Sequence, residues 1–211
     1  ISVILFSTFL GSVIFKIIDP IFTNEDDADI LVQALYQLII VFLLVLLAKC
    51  KFEGSFLTYV KLNKQPSLPN LTKFLAIFLF LLLVELFFNE INSASLNEYA
   101  EGEEYRANPV IFFLLCVILA PVSEELFFRS FLYKGWCDSS KRKYVGYIVI
   151  STLFAFLHWS SYDYLTLIWL FLFSLLLCYA RQETDGLTLP ILLHSLNNLS
   201  AFILIYVSIE F

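Results

Sequence analysis

Along this chain the apolar positions do not alternate with polar ones but run together in blocks, separated by short charged stretches. Blocks of about 17 to 25 apolar residues have the length an α-helix needs to cross the hydrocarbon core of a bilayer. The blocks predict helices near residues 1–18, 30–48, 71–91, 109–133, 144–159, 163–180 and 188–209. Two starts carry local signals: Asn108 before Pro109 reads as a cap and a first-turn proline, and Thr188 with Pro190 reads similarly. Between Phe52 and Lys64, the apolar Phe52, Phe56, Leu57 and Val60 recur at helical spacing beside lysines, the pattern of an interfacial amphipathic helix or an ordinary loop. There is no internal repeat. The expected fold is therefore all-α, a single polytopic transmembrane bundle over 1–211 with about seven to eight membrane helices.

Composition strengthens this picture. Of the 211 residues 60% are apolar and 15% charged, against roughly half and a quarter in soluble domains. The mean hydropathy is +0.83. A soluble core of this size does not need that surplus, so it belongs on lipid-facing surfaces. Cys50, Cys116, Cys137 and Cys178 are widely spaced, two in predicted spans and two in Lys-rich loops, so they read as free thiols rather than a disulfide framework or zinc knuckle. The chain has no methionine, which predicts that its first residues are missing or trimmed and that 1–18 is a clipped span. A signal peptide fits less well, since no basic segment precedes that stretch.

The net charge of −6 matters less than its sorting. Basic residues collect in cytoplasmic loops. Lys49, Lys51, Lys61, Lys64 and Lys73, then Lys134, Lys141, Arg142 and Lys143, then Arg181 follow alternate helices and are assigned to the cytoplasmic side. Residues 24–29, the acidic 98–104 stretch beside Arg106, and Asp163 fall in the other loops, which face outward with the C-terminus. Trp136 and Trp159 lie at helix ends, where an aromatic belt places them. Nothing in this charge pattern supports nucleic-acid binding.

The chemistry lies in polar residues within the apolar blocks. A charged side chain at a helix centre costs about 2.5 to 3.5 kcal/mol on insertion scales, and the fourth block holds Glu124, Glu125 and Arg129 within six residues. Glu125 and Arg129 are four apart, in the favourable order for an ion pair. Glu124 points about 100° away and needs a partner from another helix. Pro121 lacks an N–H, which should free the carbonyl of Val117 and kink the helix just before the carboxylates. The two histidines, His158 and His194, both fall in predicted spans, and Asn198 follows His194 by one turn. At ~1.5 Å per residue, Glu124 lies ~15 Å from Lys134, His194 ~9 Å and Asn198 ~15 Å from Thr188, and His158 ~21 Å from Tyr144. On that scale the polar groups of three helices share a layer about two turns deep, with His158 the outlier. A carboxylate, two imidazoles and a carboxamide in an apolar setting are the parts of a hydrolytic site. Glu124 would take a proton from water, His158 would orient that water, and His194 with Asn198 would donate to a tetrahedral oxyanion.

These residues, in this order, resemble the CPBP intramembrane proteases, also called the CAAX prenyl protease 2 and bacteriocin-processing or Abi family. Glu124, Glu125 and Arg129 match Glu-Glu-x-x-x-Arg, Phe154 and His158 match Phe-x-x-x-His, and His194 and Asn198 match His-x-x-x-Asn. The resemblance covers a motif-bearing core of about 109–200. It implies an α-helical membrane peptidase in which Glu124, His158, His194 and Asn198 carry the chemistry with Glu125 and Arg129 in support. Implied substrates are prenylated CAAX-type tails or small bacteriocin- or pheromone-like peptides. The chain departs from the family in offering Ser174 and Cys178 where glycines often pack helices.

Other readings stay open at this stage. Glu125 and Arg129 form either a purely structural pair or part of the chemistry. Asn197 reads as a packing residue beside the motif, and Glu85 as an acid reaching the headgroups. His-Glu-x-x-His is absent, yet Glu124, His158 and His194 with an open water position would also suit a catalytic Zn2+. The cofactor is thus zinc or none. The fold also accommodates a non-catalytic scaffold or bacteriocin-immunity protein, or a transporter or proton relay. The compact chain favours a prokaryotic plasma membrane, with the site toward the cytoplasm.

Overall fold

A computed structural model of the chain describes residues 25–91, 109–137, 142–159 and 162–209. The expected helix at 1–18 and the acidic 98–104 stretch lie outside the described residues. What is described is helical, without strands. We number the helices α1 (Glu25–Lys51), α2 (Phe56–Val60), α3 (Leu68–Ile91), α4 (Pro109–Cys137), α5 (Lys143–Leu157), α6 (Tyr164–Thr184) and α7 (Thr188–Ile209). Among the described residues four helices are long and apolar enough to cross a membrane: Val32–Cys50 of α1, Leu68–Phe87 of α3, α4 and α6. The apolar stretch of α5 is shorter and that of α7 is followed only over Thr188–Leu204, so the count of seven to eight spans is not reached among the described residues.

The chain divides into two compact units. The first comprises Ile1–Phe56, Asn97–Ser123 and Ser195–Phe211, the second Leu57–Leu96 and Glu124–His194. In the first unit, Phe112 and Leu115 of α4 form a buried pair closed by Ala34 of α1 and Phe202 of α7. The Phe202 ring stacks on Phe112 at 5.9 Å and meets Phe113 edge-on at 5.4 Å. Ser123 donates to Gln37 of α1 and to the carbonyl of Ala120 at 2.9 Å.

Helix α4 is not a uniform α-helix. Leu114–Leu119 and Leu126–Leu132 adopt the wider π turn, in which an N–H bonds the carbonyl five residues back. The Ala120 N–H accordingly reaches the Leu115 carbonyl. Between the two π segments Ala120–Glu125 return to the α pattern, with Pro121 in their first turn. Asn198 of α7 donates its Nδ2–H to the Cys116 carbonyl at 2.8 Å.

In the second unit α5 packs against α6 and the end of α4 through Phe128, Tyr133, Cys137, Tyr147, Ile150, Phe154 and Cys178. Gly146 permits the approach of α5 to α4, because a Cβ there would meet Cys137 Sγ at 2.5 Å and the Trp136 carbonyl at 3.0 Å. Helix α3 lies on α6 through Phe74 against Tyr179 and Phe78 against Phe173. Asp163 caps α6 by accepting from the Leu165 and Thr166 N–H groups at 2.7 and 3.1 Å, leaving fewer of the helix's first donors unsatisfied. All four cysteines are free thiols.

The amphipathic stretch after α1 forms only the five-residue α2. Beyond it Lys61 turns through the left-handed region at φ 64°. Its carbonyl accepts the Leu187 N–H at 3.1 Å and its Nζ pairs with Asp185 at 2.8 Å. Thr188, expected to cap α7 locally, instead donates its hydroxyl to the Lys64 carbonyl at 3.0 Å. These contacts fasten the segment after α2 to the turn between α6 and α7.

Candidate active site

The second half of α4 presents the expected ion pair. Arg129 Nη1 donates to Glu125 Oε1 at 2.9 Å, and both side chains are fully buried. The fork of the guanidinium is used further, since Nη2 donates to the Ser174 hydroxyl at 2.7 Å and to the Ser174 carbonyl at 3.2 Å. Ser174 therefore holds a charge where the sequence shows only a small packing residue. Arg181 was expected in a loop, with the helix ending at 180. Helix α6 continues to Thr184, and Arg181 is buried with its Nε donating to the Arg129 carbonyl at 3.0 Å. Its guanidinium carbon also lies 5.2 Å from the Tyr133 ring centre.

His194 joins both glutamates. Its Nδ1 lies 2.9 Å from Glu125 Oε1, and its Nε2 lies 3.9 Å from Glu124 Oε2. The sequence pairs Glu125 with Arg129 alone; the structure makes the same oxygen the acceptor for the imidazole as well. With Nδ1–H donating to that carboxylate, the tautomer and the ring plane are both set, and Nε2 is turned toward Glu124. The Glu124 side chain is 23% exposed, yet its Oε2 is buried and has no hydrogen-bond partner among the described residues. A buried oxygen left unbonded is uncommon and costly.

His158 stands on the turn just past α5, which ends at Leu157 rather than 159. Its Nδ1–H donates to the Phe154 carbonyl at 2.7 Å, which leaves the Nε2 lone pair for another group. The Phe154 ring explains the aromatic position of its motif. Its centre lies 4.9 Å from the His158 ring, 5.7 Å from the His194 ring and 4.9 Å from the Arg129 guanidinium carbon. Phe173, stacked on Trp169, meets His194 edge-on at 6.0 Å. An apolar wall thus surrounds the polar groups and strengthens the electrostatics among them.

The structure brings Glu124, Glu125, Arg129 and His194 into one cluster and sets His158 against the same phenylalanine. Asn198 belongs to the first unit, where its bond is to Cys116. Asn197 accompanies it, its Nδ2 at 3.5 Å from Asn198 Oδ1. Among the described residues no three His, Cys, Asp or Glu side chains converge in the way a metal ion requires. The Glu124, His158 and His194 set is not drawn together as ligands.

Apolar helices of spanning length fit an integral membrane protein, and in its second unit one imidazole lies between two carboxylates, 2.9 Å from Glu125 and 3.9 Å from Glu124. Comparison with known proteins makes this more specific: residues 106–200 match the family described as type II CAAX prenyl endopeptidase Rce1-like, in agreement with the resemblance carried by the motifs. That family is one of proteases. A curated relative from Escherichia coli, described as an uncharacterized 24.3 kDa protein, is 38% identical over 90 residues, covering 40% of this chain. The match spans 40% of that relative's length. No solved structure matches the chain.

Proposed function

We propose that this chain is an intramembrane endopeptidase that hydrolyses peptide bonds of membrane-associated substrates with a water activated by Glu124 and histidine. The observation that carries the reading is the buried, unbonded Glu124 oxygen 3.9 Å from an imidazole nitrogen whose other nitrogen is anchored on Glu125. Arg129 and Glu125 cancel in charge, so the cluster is neutral with one further proton held by either Glu124 or His194. Net charge is expensive in such surroundings, which favours passing that proton within the site over losing it.

In this reading Glu124 is ionised and His194 doubly protonated when substrate binds. The His158 Nε2 lone pair accepts a hydrogen bond from the attacking water and so orients it. As the water oxygen bonds to the scissile carbonyl carbon, its proton passes to Glu124 and the carbonyl electrons move onto oxygen. The His194 Nε2–H donates to that oxyanion while Glu125 holds the imidazolium. Glu124 then delivers its proton to the leaving nitrogen, the C–N bond breaks, and a carboxyl and an amine terminus result. Asn198 can enter as an oxyanion donor only through the Nδ2–H not engaged by Cys116.

The family match favours prenylated CAAX-type tails as substrates, with small bacteriocin- or pheromone-like peptides as the related class. The reading includes one functional domain over 1–211, a site toward the cytoplasm of a prokaryotic plasma membrane, and the C-terminus outside, on the sorting of basic residues. The test is cleavage of a prenylated tail peptide by purified protein in liposomes. Glu124→Gln and His194→Ala should each lower kcat by about 10² to 10⁴-fold. Full cleavage by both variants would remove the catalytic assignment.

A further inference from the structure

Helix α4 returns from the π form to the α form at Tyr133, and the return passes over one carbonyl. A π donor reaches five residues back, and the Tyr133 N–H accordingly bonds the Phe128 carbonyl. It bonds the Ser130 carbonyl as well and skips that of Arg129, the acceptor it would take at α pitch. Arg129 is fully buried, and a buried carbonyl needs a donor. Arg181 of α6 supplies one: its Nε–H donates to the Arg129 carbonyl at 3.0 Å, from a side chain that is itself buried. Seven residues earlier on the same helix, the Ser174 hydroxyl accepts from the Arg129 guanidinium at 2.7 Å. Helix α6 thus holds residue 129 from two successive turns, its backbone through Arg181 and its side chain through Ser174.

We propose that Arg181 is a positioning residue of the site, which fixes the Arg129 backbone where the π turn ends and so sets where the guanidinium meets Glu125. As a statement about the reaction this rests on the peptidase reading. The effect runs through one oxygen. Glu125 Oε1 accepts from Arg129 at 2.9 Å and from the His194 Nδ1–H at 2.9 Å, so a shift of the Arg129 backbone moves the carboxylate that orients the imidazole. The other end of Arg181 does different work: its Nη1 lies 3.4 Å from Asp185, whose side chain is 59% exposed. Water can replace Arg181 at so exposed a carboxylate, and such a pair contributes little. At the buried Arg129 carbonyl a lost donor leaves an unsatisfied acceptor. The two ends of the guanidinium should therefore be separable by substitution.

Arg181→Met removes the donor and keeps an apolar stem, whereas Asp185→Asn removes only the ion pair. The chain has two histidines, so NMR of isotope-labelled histidine in detergent, well below the unfolding midpoint, follows the His194 Nδ1–H proton directly. In Arg181→Met that signal should shift, and kcat on the tail peptide should fall by about 10²-fold with KM unchanged, the loss that a displacement of about 1 Å produces. Asp185→Asn should match the parent in both. An unmoved His194 signal in a folded Arg181→Met, or equal losses in Arg181→Met and Asp185→Asn, would overturn the proposal. Should Arg181→Met not fold, solid-state NMR of the parent in liposomes decides, with arginine labelled at its carbonyl carbon and Nε. Labelled serine nitrogen picks out the Arg129 carbonyl, since Ser130 is the one serine that follows an arginine. A dipolar contact from that carbonyl to the Arg181 Nε is expected, and its absence would overturn the proposal. Neither NMR arm depends on cleavage. A parent that cleaves nothing would sink the peptidase reading and still leave the hold on Arg129 measured.

Discussion

Replacing both members of the buried pair should harm the fold no more than replacing either one. Arg129→Met leaves Glu125 buried with its charge and only the His194 Nδ1–H to answer it. Glu125→Leu leaves a buried guanidinium held by Ser174 and takes the partner from His194. Losing one partner of a buried ion pair costs about 3–5 kcal/mol, whereas removing both charges with apolar groups of similar volume is often neutral or stabilising. In the double variant the Ser174 hydroxyl and His194 Nδ1 remain without their partners, at about 1–3 kcal/mol for each group left unsatisfied. The double should thus be destabilised no more than a single, a coupling of at least ~3 kcal/mol. At roughly 2–4 °C per kcal/mol for a chain of this size, each single should lower the midpoint by roughly 6–20 °C. Tryptophan fluorescence during heating in detergent reads this directly, since Trp136, Trp159 and Trp169 all lie in the described helices or their ends. Cleavage should be absent in the double even where the fold recovers, because His194 has lost its anchor. A double variant whose midpoint loss equals the sum of the two singles would refute the reasoning.

Two further outcomes follow from neighbouring contacts. Ser174→Ala removes the 2.7 Å acceptor for Arg129 but keeps the backbone carbonyl, so stability should drop by about 1.5–3 kcal/mol. Ser174→Thr, which keeps the hydroxyl, should retain more of the parent stability; equal losses in the two would contradict the bond. At the turn after α6, burial works to raise the Asp185 carboxyl, but Lys61 at 2.8 Å and Arg181 at 3.4 Å outweigh it and hold it below its ordinary 3.8. A depressed carboxyl stabilises fully above the unfolded value and loses its effect as the pH falls through the folded one. The Leu187 amide, bonded to Lys61, should therefore stay protected from hydrogen exchange at neutral pH and loosen only below about pH 4, by under ~1 kcal/mol for so exposed a pair. Asp185→Asn should abolish that dependence, and an unchanged pH profile would count against it.

Much of the site was legible because it is local. The Glu125 and Arg129 spacing predicts their bond without knowledge of any other helix, and the block lengths place most helix ends within a few residues. What escaped the sequence depends on tertiary contact or on backbone form. Nothing in the spacing of His194 says that Glu125, already paired, would also accept its Nδ1–H. Arg181 reads as a loop cation because basic residues mark cytoplasmic ends, yet α6 runs four residues further and turns it onto the Arg129 carbonyl. Ser174 was visible only as a small residue, since a hydroxyl facing a buried guanidinium leaves no periodic signature. The π turns leave no mark in an apolar pattern read at α pitch. The four spanning helices, against the seven or eight expected, reflect the brevity of α5, while residues 1–18 and the end of α7 lie outside the residues compared for span length.

The π segment Leu126–Leu132 has a bearing on how this chain is compared with others. A π turn behaves like one extra residue threaded into an α-helix, so losing a single residue between 126 and 132 would restore the ordinary pitch. Because the wide turn takes up that residue within itself, Tyr133 and Cys137 would keep nearly the same face relative to Glu125. The stack of Tyr133 on Tyr147 at 5.9 Å would then survive the loss. The residues inside the turn would not keep their places, and a deletion ahead of Arg129 would break its four-residue spacing from Glu125. A chain shortened there would thus keep its partner for α5 and lose the buried pair.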